Sequence, residues 1–129
     1  GGMVEKYVFI SLGAIVGANG RYLVQTWLAD RMGTAFPWGT FVVNLTGAFI
    51  LAFFLTIATE RLVLDPNYRF LIAVGFCGSY TTFSSLTYES FTLWAQAGWA
   101  SALINLVGSM ALGMLATVAG VVGARLIFG

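Results

Sequence analysis

The chain has no histidine, a single cysteine (Cys77), and only six basic and five acidic side chains in 129 residues. Without histidine the commonest metal ligand and the usual general base are missing, and one cysteine forms no intrachain disulfide. Charged residues make up 9% of the chain, against roughly a quarter in ordinary soluble domains. A compact monomer of this mass would expose on the order of 6,600 Å² by the usual area scaling, and so few charges cannot cover that surface with water-compatible groups. A formal net charge of +1 offers no electrostatic footprint for nucleic acid or for an acidic partner. What the chain does have is apolar: 59% hydrophobic residues and a mean hydropathy of +0.89. The expectation is one all-α domain over residues 1–129, embedded in a lipid bilayer. Its function would rest on backbone groups, hydroxyls, amides, aromatic rings and a handful of charges, which describes a conduit better than a catalyst.

Gly1 and Gly2, ahead of Met3, read as an appended leader and are set aside. Four apolar runs follow, at about residues 7–28, 38–58, 70–94 and 100–126. Each exceeds the roughly 20 residues that a helix needs to cross about 30 Å of hydrocarbon. Charges and helix breakers collect between them: Asp30, Arg31, Gly33 and Pro37 in the first joint, and Glu60, Arg61, Asp65, Pro66 and Arg69 in the second. Tyr7, Trp27, Trp38, Trp94 and Trp99 fall where an interfacial aromatic belt would sit. The first run lacks the short apolar core and small-residue cleavage site of a secretory signal and reads as a span. With four spans, Lys6, Arg61, Arg69 and Arg125 share one side, while Arg31 and a snorkelling Arg21 share the other. That modest bias favours cytoplasmic termini and leaves insertion in both orientations open.

The third run is anomalous. From Ser79 to Thr87, seven of nine positions carry a hydroxyl, at what should be the middle of the membrane. Gly75 and Gly78 just before them permit a helix break, which is tolerated at membrane depth only where it is buried in protein or lines a wet cavity. Ser and Thr also ride in helices by bonding back one turn, but seven of them beside two glycines favour a break, with carbonyls and amides free to meet an ion. In the second run Thr40 and Asn44 lie one turn apart on one face. In the fourth, Ser101, Asn105, Ser109, Gly113 and Thr117 recur every four residues, a stripe that suits either close helix packing or a hydrogen-bonding track. Gly13 and Gly17 mark a tight helix contact on the face that also carries Arg21, read as a structural anchor with anion attraction as its other possible role. Glu89 lies within reach of Thr40 or Asn44 if those helices pack. Cys77 reads as a small buried hydrophobe.

The run Gly-Phe-Cys-Gly-Ser-Tyr-Thr-Thr-Phe-Ser-Ser (Gly75 to Ser85), with Glu89 after it, resembles the third-helix signature of the Fluc (CrcB) fluoride channels, usually G-F-C-G-G-x-T-T-F-S-T-F-S-x-E. Supporting matches are Trp-Gly-Thr-Phe-Val-Val-Asn-Leu (Trp38 to Leu45), the Gly13, Gly17, Arg21, Tyr22 pattern, and Gly108-Ser109. The resemblance covers all four spans. It implies an antiparallel, dual-topology homodimer in the bacterial plasma (inner) membrane that passively exports fluoride through two pores. It also implies a structural sodium ion at the dimer centre, held by the carbonyls of Gly78 and Thr81 from each subunit. Phe83 matches the first phenylalanine of the family's aromatic box, whose ring edge carries partial positive charge toward the anion. Thr82 falls in the pore-lining part of the signature, Asn44 matches the pore amide, Asn105 and Ser109 open the polar track, and Thr40 and Glu89 match a pair near the pore mouth; Arg21 stands at the vestibule. Three positions depart from the pattern: Leu86 replaces the second box phenylalanine, Ser79 the second glycine, and Gly113 a track threonine.

Two other classes stand beside this one. A small dual-topology drug or guanidinium exporter needs a carboxylate deep in the first span to exchange protons for cations, and that span offers Asn19, Arg21 and Gln25 instead. A non-conducting assembly subunit would use its polar stripes only to glue helices together, and Leu86 and Gly113 fit that reading.

Overall fold

The computed structural model describes residues 2–129, so Gly1 lies outside the described residues. Gly2, set aside with it in the sequence, opens the first helix. α1 spans Gly2–Met32 and α2 Trp38–Arg61, the last turn of α2 being a wider π turn over Ile57–Arg61. The third span, Pro66–Ala97, is two helices: α3 over residues 66–80, and α4 over Phe83–Ala97. α5 spans Trp99–Phe128. All four spans are long and apolar enough to cross a membrane.

The joints follow from local chemistry. Glu5 in its first turn and Arg31 in its last complement the dipole of α1. Gly33 ends it at φ +80 with its N–H on the Ala29 carbonyl, 2.9 Å away, a left-handed conformation that glycine adopts without steric cost. Pro37 precedes α2, and Phe36 packs on Trp38 with ring centroids 4.7 Å apart. The Asp65 carboxylate accepts the Asn67 N–H at 2.9 Å and Pro66 supplies the first helical residue, which together start α3. Gly98, at φ +97, turns α4 into α5 within one residue.

The helices run longer than the apolar runs suggest, because their polar ends continue past the hydrocarbon-length segment. The break also sits elsewhere than the glycines indicate. It falls at Thr81 and Thr82, both extended (ψ 156 and φ −149, ψ 115). Gly75 instead serves packing: a Cβ there would stand 2.5 Å from the Ile10 carbonyl of α1 and 3.1 Å from Gly13 Cα. On the α1 side, a Cβ on Gly13 would run into the Leu71 carbonyl, and one on Gly17 into the Ser79 hydroxyl and the Phe76 carbonyl. α1 and α3 therefore meet backbone to backbone, which is how small residues let helices associate where lipid gives no hydrophobic drive.

Candidate functional site at the break in the third span

An interrupted helix releases carbonyls and N–H groups that must be satisfied inside a membrane. Here side chains from α1 and α2 do much of this. The Asn44 amide pairs with the Thr82 backbone in both directions: Nδ2–H donates to the Thr82 carbonyl at 3.1 Å, and Oδ1 accepts the Thr82 N–H at 2.7 Å. Arg21 donates its Nε–H to the Ser79 carbonyl at 3.1 Å, so it binds the break as an anchor. Cations suit a helix C-terminus, where free carbonyls concentrate negative potential. The Ser79 hydroxyl lies 2.7 Å from the Gly75 carbonyl and 3.2 Å from the Ala14 carbonyl of α1. Tyr80, buried and stacked on Phe76 at 5.1 Å, shares a 2.9 Å hydrogen bond with Thr46 of α2. On the far side the Thr82 hydroxyl caps α4 by accepting the Ser85 N–H at 3.2 Å.

Four carbonyls, those of Gly78, Ser79, Tyr80 and Thr81, lose their helical donors at the break, and two of those donors have visible new acceptors. The Thr82 N–H that a continuous helix would give to the Gly78 carbonyl goes to Asn44. The Ser85 N–H that would reach the Thr81 carbonyl goes to the Thr82 hydroxyl. Gly78 lies exposed at the surface and Thr81 is partly so.

The remaining positions divide between interior and surface. Asn105, 2% exposed, donates to the Ser90 hydroxyl at 2.9 Å, which in turn donates to the Leu86 carbonyl at 2.7 Å. Leu86 is buried beside them at 6% exposure, whereas Phe83, three residues earlier, is 76% exposed on the outer face of α4. The buried Ser109 hydroxyl has no hydrogen-bond partner, nor has the buried Glu89 Oε1. Thr40 is taken by Gln25, whose Nε2–H donates to its hydroxyl at 3.1 Å. No hydrogen bond joins Glu89 to Asn44, whose amide pairs with Thr82, or to Thr40, which accepts from Gln25. Glu89 lines a partly open cavity of about 280 Å³ with Gln25, Trp38, Gly39, Thr92 and Gln96 among its walls.

Sequence reasoning gave Gln25 no role, yet its position was signalled. Gly13, Gly17, Arg21 and Gln25 continue one four-residue stripe on α1, and the last turn of that stripe reaches α2. Gly39 belongs to the same contact, since a Cβ there would stand 2.5 Å from Gln25 Cα.

In chemical terms the site offers hydroxyls, amides, ring edges and freed carbonyls around a break. Among the described residues there is no cluster of metal-ligating side chains. Such a set can partner small ions by dipoles and has no evident nucleophile–base pair.

Residues 8–121 match the family model described as CrcB-like protein, Camphor Resistance (CrcB). A protein of Koribacter versatilis named fluoride-specific ion channel FluC is 51% identical over 96 residues, covering 74% of this chain and 76% of the relative. One of the same name from a Sulfurihydrogenibium species is 44% identical over 124 residues, 96% of this chain and the whole relative. A third, from a Synechococcus species, is 44% identical over 117 residues, covering 91% of this chain and 90% of the relative. With its four spans and broken third helix, the chain belongs to the CrcB-like family and is a multi-pass membrane protein of an ion-channel family, not an enzyme.

Proposed function

We propose that the chain is a passive, fluoride-selective channel that works as an antiparallel, dual-topology homodimer in the bacterial inner membrane, with two pores. One observation carries the reading. Relatives alignable over nearly the whole chain bear the name fluoride-specific ion channel, and this chain keeps Gly78, Thr81, Thr82, Phe83 and Glu89 of the third-helix signature at a break with freed backbone groups.

Fluoride gives up tightly held water only to donors placed to replace it. The partnerless Ser109 hydroxyl is such a donor, and Asn44 and Asn105 add amides. The exposed Phe83 ring would present its positive edge to the ion from the surface that a second copy covers. Leu86 contributes an apolar wall. No lysine lies in the interior of the bundle, so the anion would meet no ammonium trap on its way through. A proton-driven cation exporter is disfavoured because α1 carries carboxylates only near its ends, at Glu5 and Asp30.

The residues fit a structural sodium. The Gly78 and Thr81 carbonyls are among those that lose their helical donors at the break, and oxygen dipoles suit a hard cation. Bound there, the ion would neutralise carbonyl dipoles brought together by two protomers.

Fluoride efflux from liposomes, followed with an electrode beside chloride efflux, tests the channel. The expected result is rapid fluoride loss without chloride loss, and a lower fluoride rate in Phe83→Ile with the dimer intact. Fluoride retained in vesicles that hold folded dimer would instead support the non-conducting subunit.

A further inference from the structure

Arg21 brings a full charge into the bundle without a carboxylate beside it: the one ion pair among the described residues joins Arg125 to Glu60. Its Nε–H goes to the Ser79 carbonyl, 58 residues away in sequence. The approach depends on Gly17, where any Cβ would strike the Ser79 hydroxyl. In an unbroken helix the Ser79 carbonyl would accept the Phe83 N–H, but Phe83 opens the next helix. The carbonyls of Gly78, Ser79, Tyr80 and Thr81 lose their helical donors at the break, while that of Thr82 begins the next helix. Those of Ser79 and Thr82 are taken by side chains from α1 and α2. Those of Gly78 and Thr81 lose their donors to Asn44 and the Thr82 hydroxyl.

We infer that Arg21 is a positioning residue that sets the cation selectivity of the break, by holding the Ser79 carbonyl out of the ligand set. The inference rests on the reading that Gly78 and Thr81 hold a cation between two protomers. With Arg21 in place each protomer offers two carbonyls; without it the neighbouring Ser79 oxygen is free to turn in as a third. Ligand number helps to decide which monovalent cation a cage of carbonyls prefers, and a larger set favours a larger ion. The guanidinium charge also repels any bound cation. That repulsion acts equally on sodium and potassium, so it cancels in their ratio and leaves the ratio to report the ligand set.

The test uses purified full-length protein in detergent micelles. Its melting temperature is followed against sodium chloride or potassium chloride, with N-methylglucamine chloride keeping ionic strength constant. The wild type should need about tenfold less sodium than potassium for half of the stabilisation, and in Arg21→Gln this preference should fall to about threefold or below. Ser79→Gly, which keeps both Arg21 and the carbonyl, should retain the wild-type ratio. A folded Arg21→Gln whose ratio stays within about twofold of the wild type overturns the inference. If Arg21→Gln does not fold, Arg21→Met takes its place: it keeps an apolar stem and has no donor for the Ser79 carbonyl, so a reduced preference is expected and an unchanged one overturns the inference. A wild type stabilised equally by all three salts would instead refute the cation site itself, and the role of Arg21 with it.

Discussion

Against α1, the first half of the third span is packed backbone to backbone through Gly13, Gly17 and Gly75, whereas the second half turns Phe83, Ser84, Thr87, Tyr88 and Phe91 outward. On α5 the same openness continues, because a Cβ on Gly108 or Gly113 would meet nothing within 4 Å. In lipid an exposed leucine needs no explanation, since hydrocarbon tails are as apolar as the side chain. Hydroxyls and bare glycine backbone on an outward face are different, because neither gains from contact with acyl chains. The contrast shows which half of the span is complete within one chain and which half suits a second surface.

The sharpest way to break that contrast is to add the same volume to each side. Gly17→Val forces a side chain into the Ser79 hydroxyl and the Phe76 carbonyl, where relief requires moving backbone. A loss of about 3 kcal/mol or more is expected, seen as aggregated rather than monodisperse protein on size-exclusion chromatography. Gly113→Val meets only open space within the chain and should shift the stability of the monomer by no more than about 0.5 kcal/mol. Covalent crosslinking should nevertheless show loss of the dimer if a second copy covers that face. Equal behaviour of the two variants would remove the distinction between the faces.

The four spans were legible because apolar length is a direct physical requirement of the bilayer. The break was legible as a region but not at its residue. Gly75 and Gly78 are as compatible with close packing as with bending, and only the opposing α1 backbone shows that Gly75 serves packing. Thr81 and Thr82 are ordinary residues made extended by what receives their backbone groups, and the Asn44 amide that pairs with Thr82 lies 38 residues away. Pairings of that kind have no local signature. The Gln25 contact with Thr40 was hidden for the same reason, as nothing in α2 alone indicates that a side chain of α1 reaches it.

Asn44 tests the break from the α2 side with a smaller expected effect. Asn44→Asp keeps an acceptor for the Thr82 N–H but replaces the donor to the Thr82 carbonyl, 3.1 Å away, with a second oxygen. Losing that bond and opposing two acceptors should cost about 1.5–3 kcal/mol. A carboxylate in a desolvated lining should also repel an anion, so fluoride efflux is expected to fall by at least about tenfold, since each 1.4 kcal/mol added to a barrier is a factor of ten. Efflux at the wild-type rate from a variant with a lowered melting temperature would assign Asn44 to the break alone and remove it from the ion path.

The smallest effect is expected at Leu86, and it compares two positions one turn apart on the same helix. Phe83 faces outward while Leu86 packs inward, with the Ser90 hydroxyl on its carbonyl and Asn105 behind that. Leu86→Phe restores the ring that the family signature usually has, but within one chain it adds volume to a filled site. Overpacking of this kind typically costs about 1–3 kcal/mol, and the lower end applies if the ring can tilt toward the surface. The melting temperature should therefore drop by a few degrees, on the order of 1 kcal/mol of stability for a chain of this length. A variant that melts with the wild type, or above it, would mean that residue 86 reaches the outer face in the assembled protein. Leu86 and Phe83 would then line one surface, and the division of α4 into an inner and an outer side would hold only for the isolated chain.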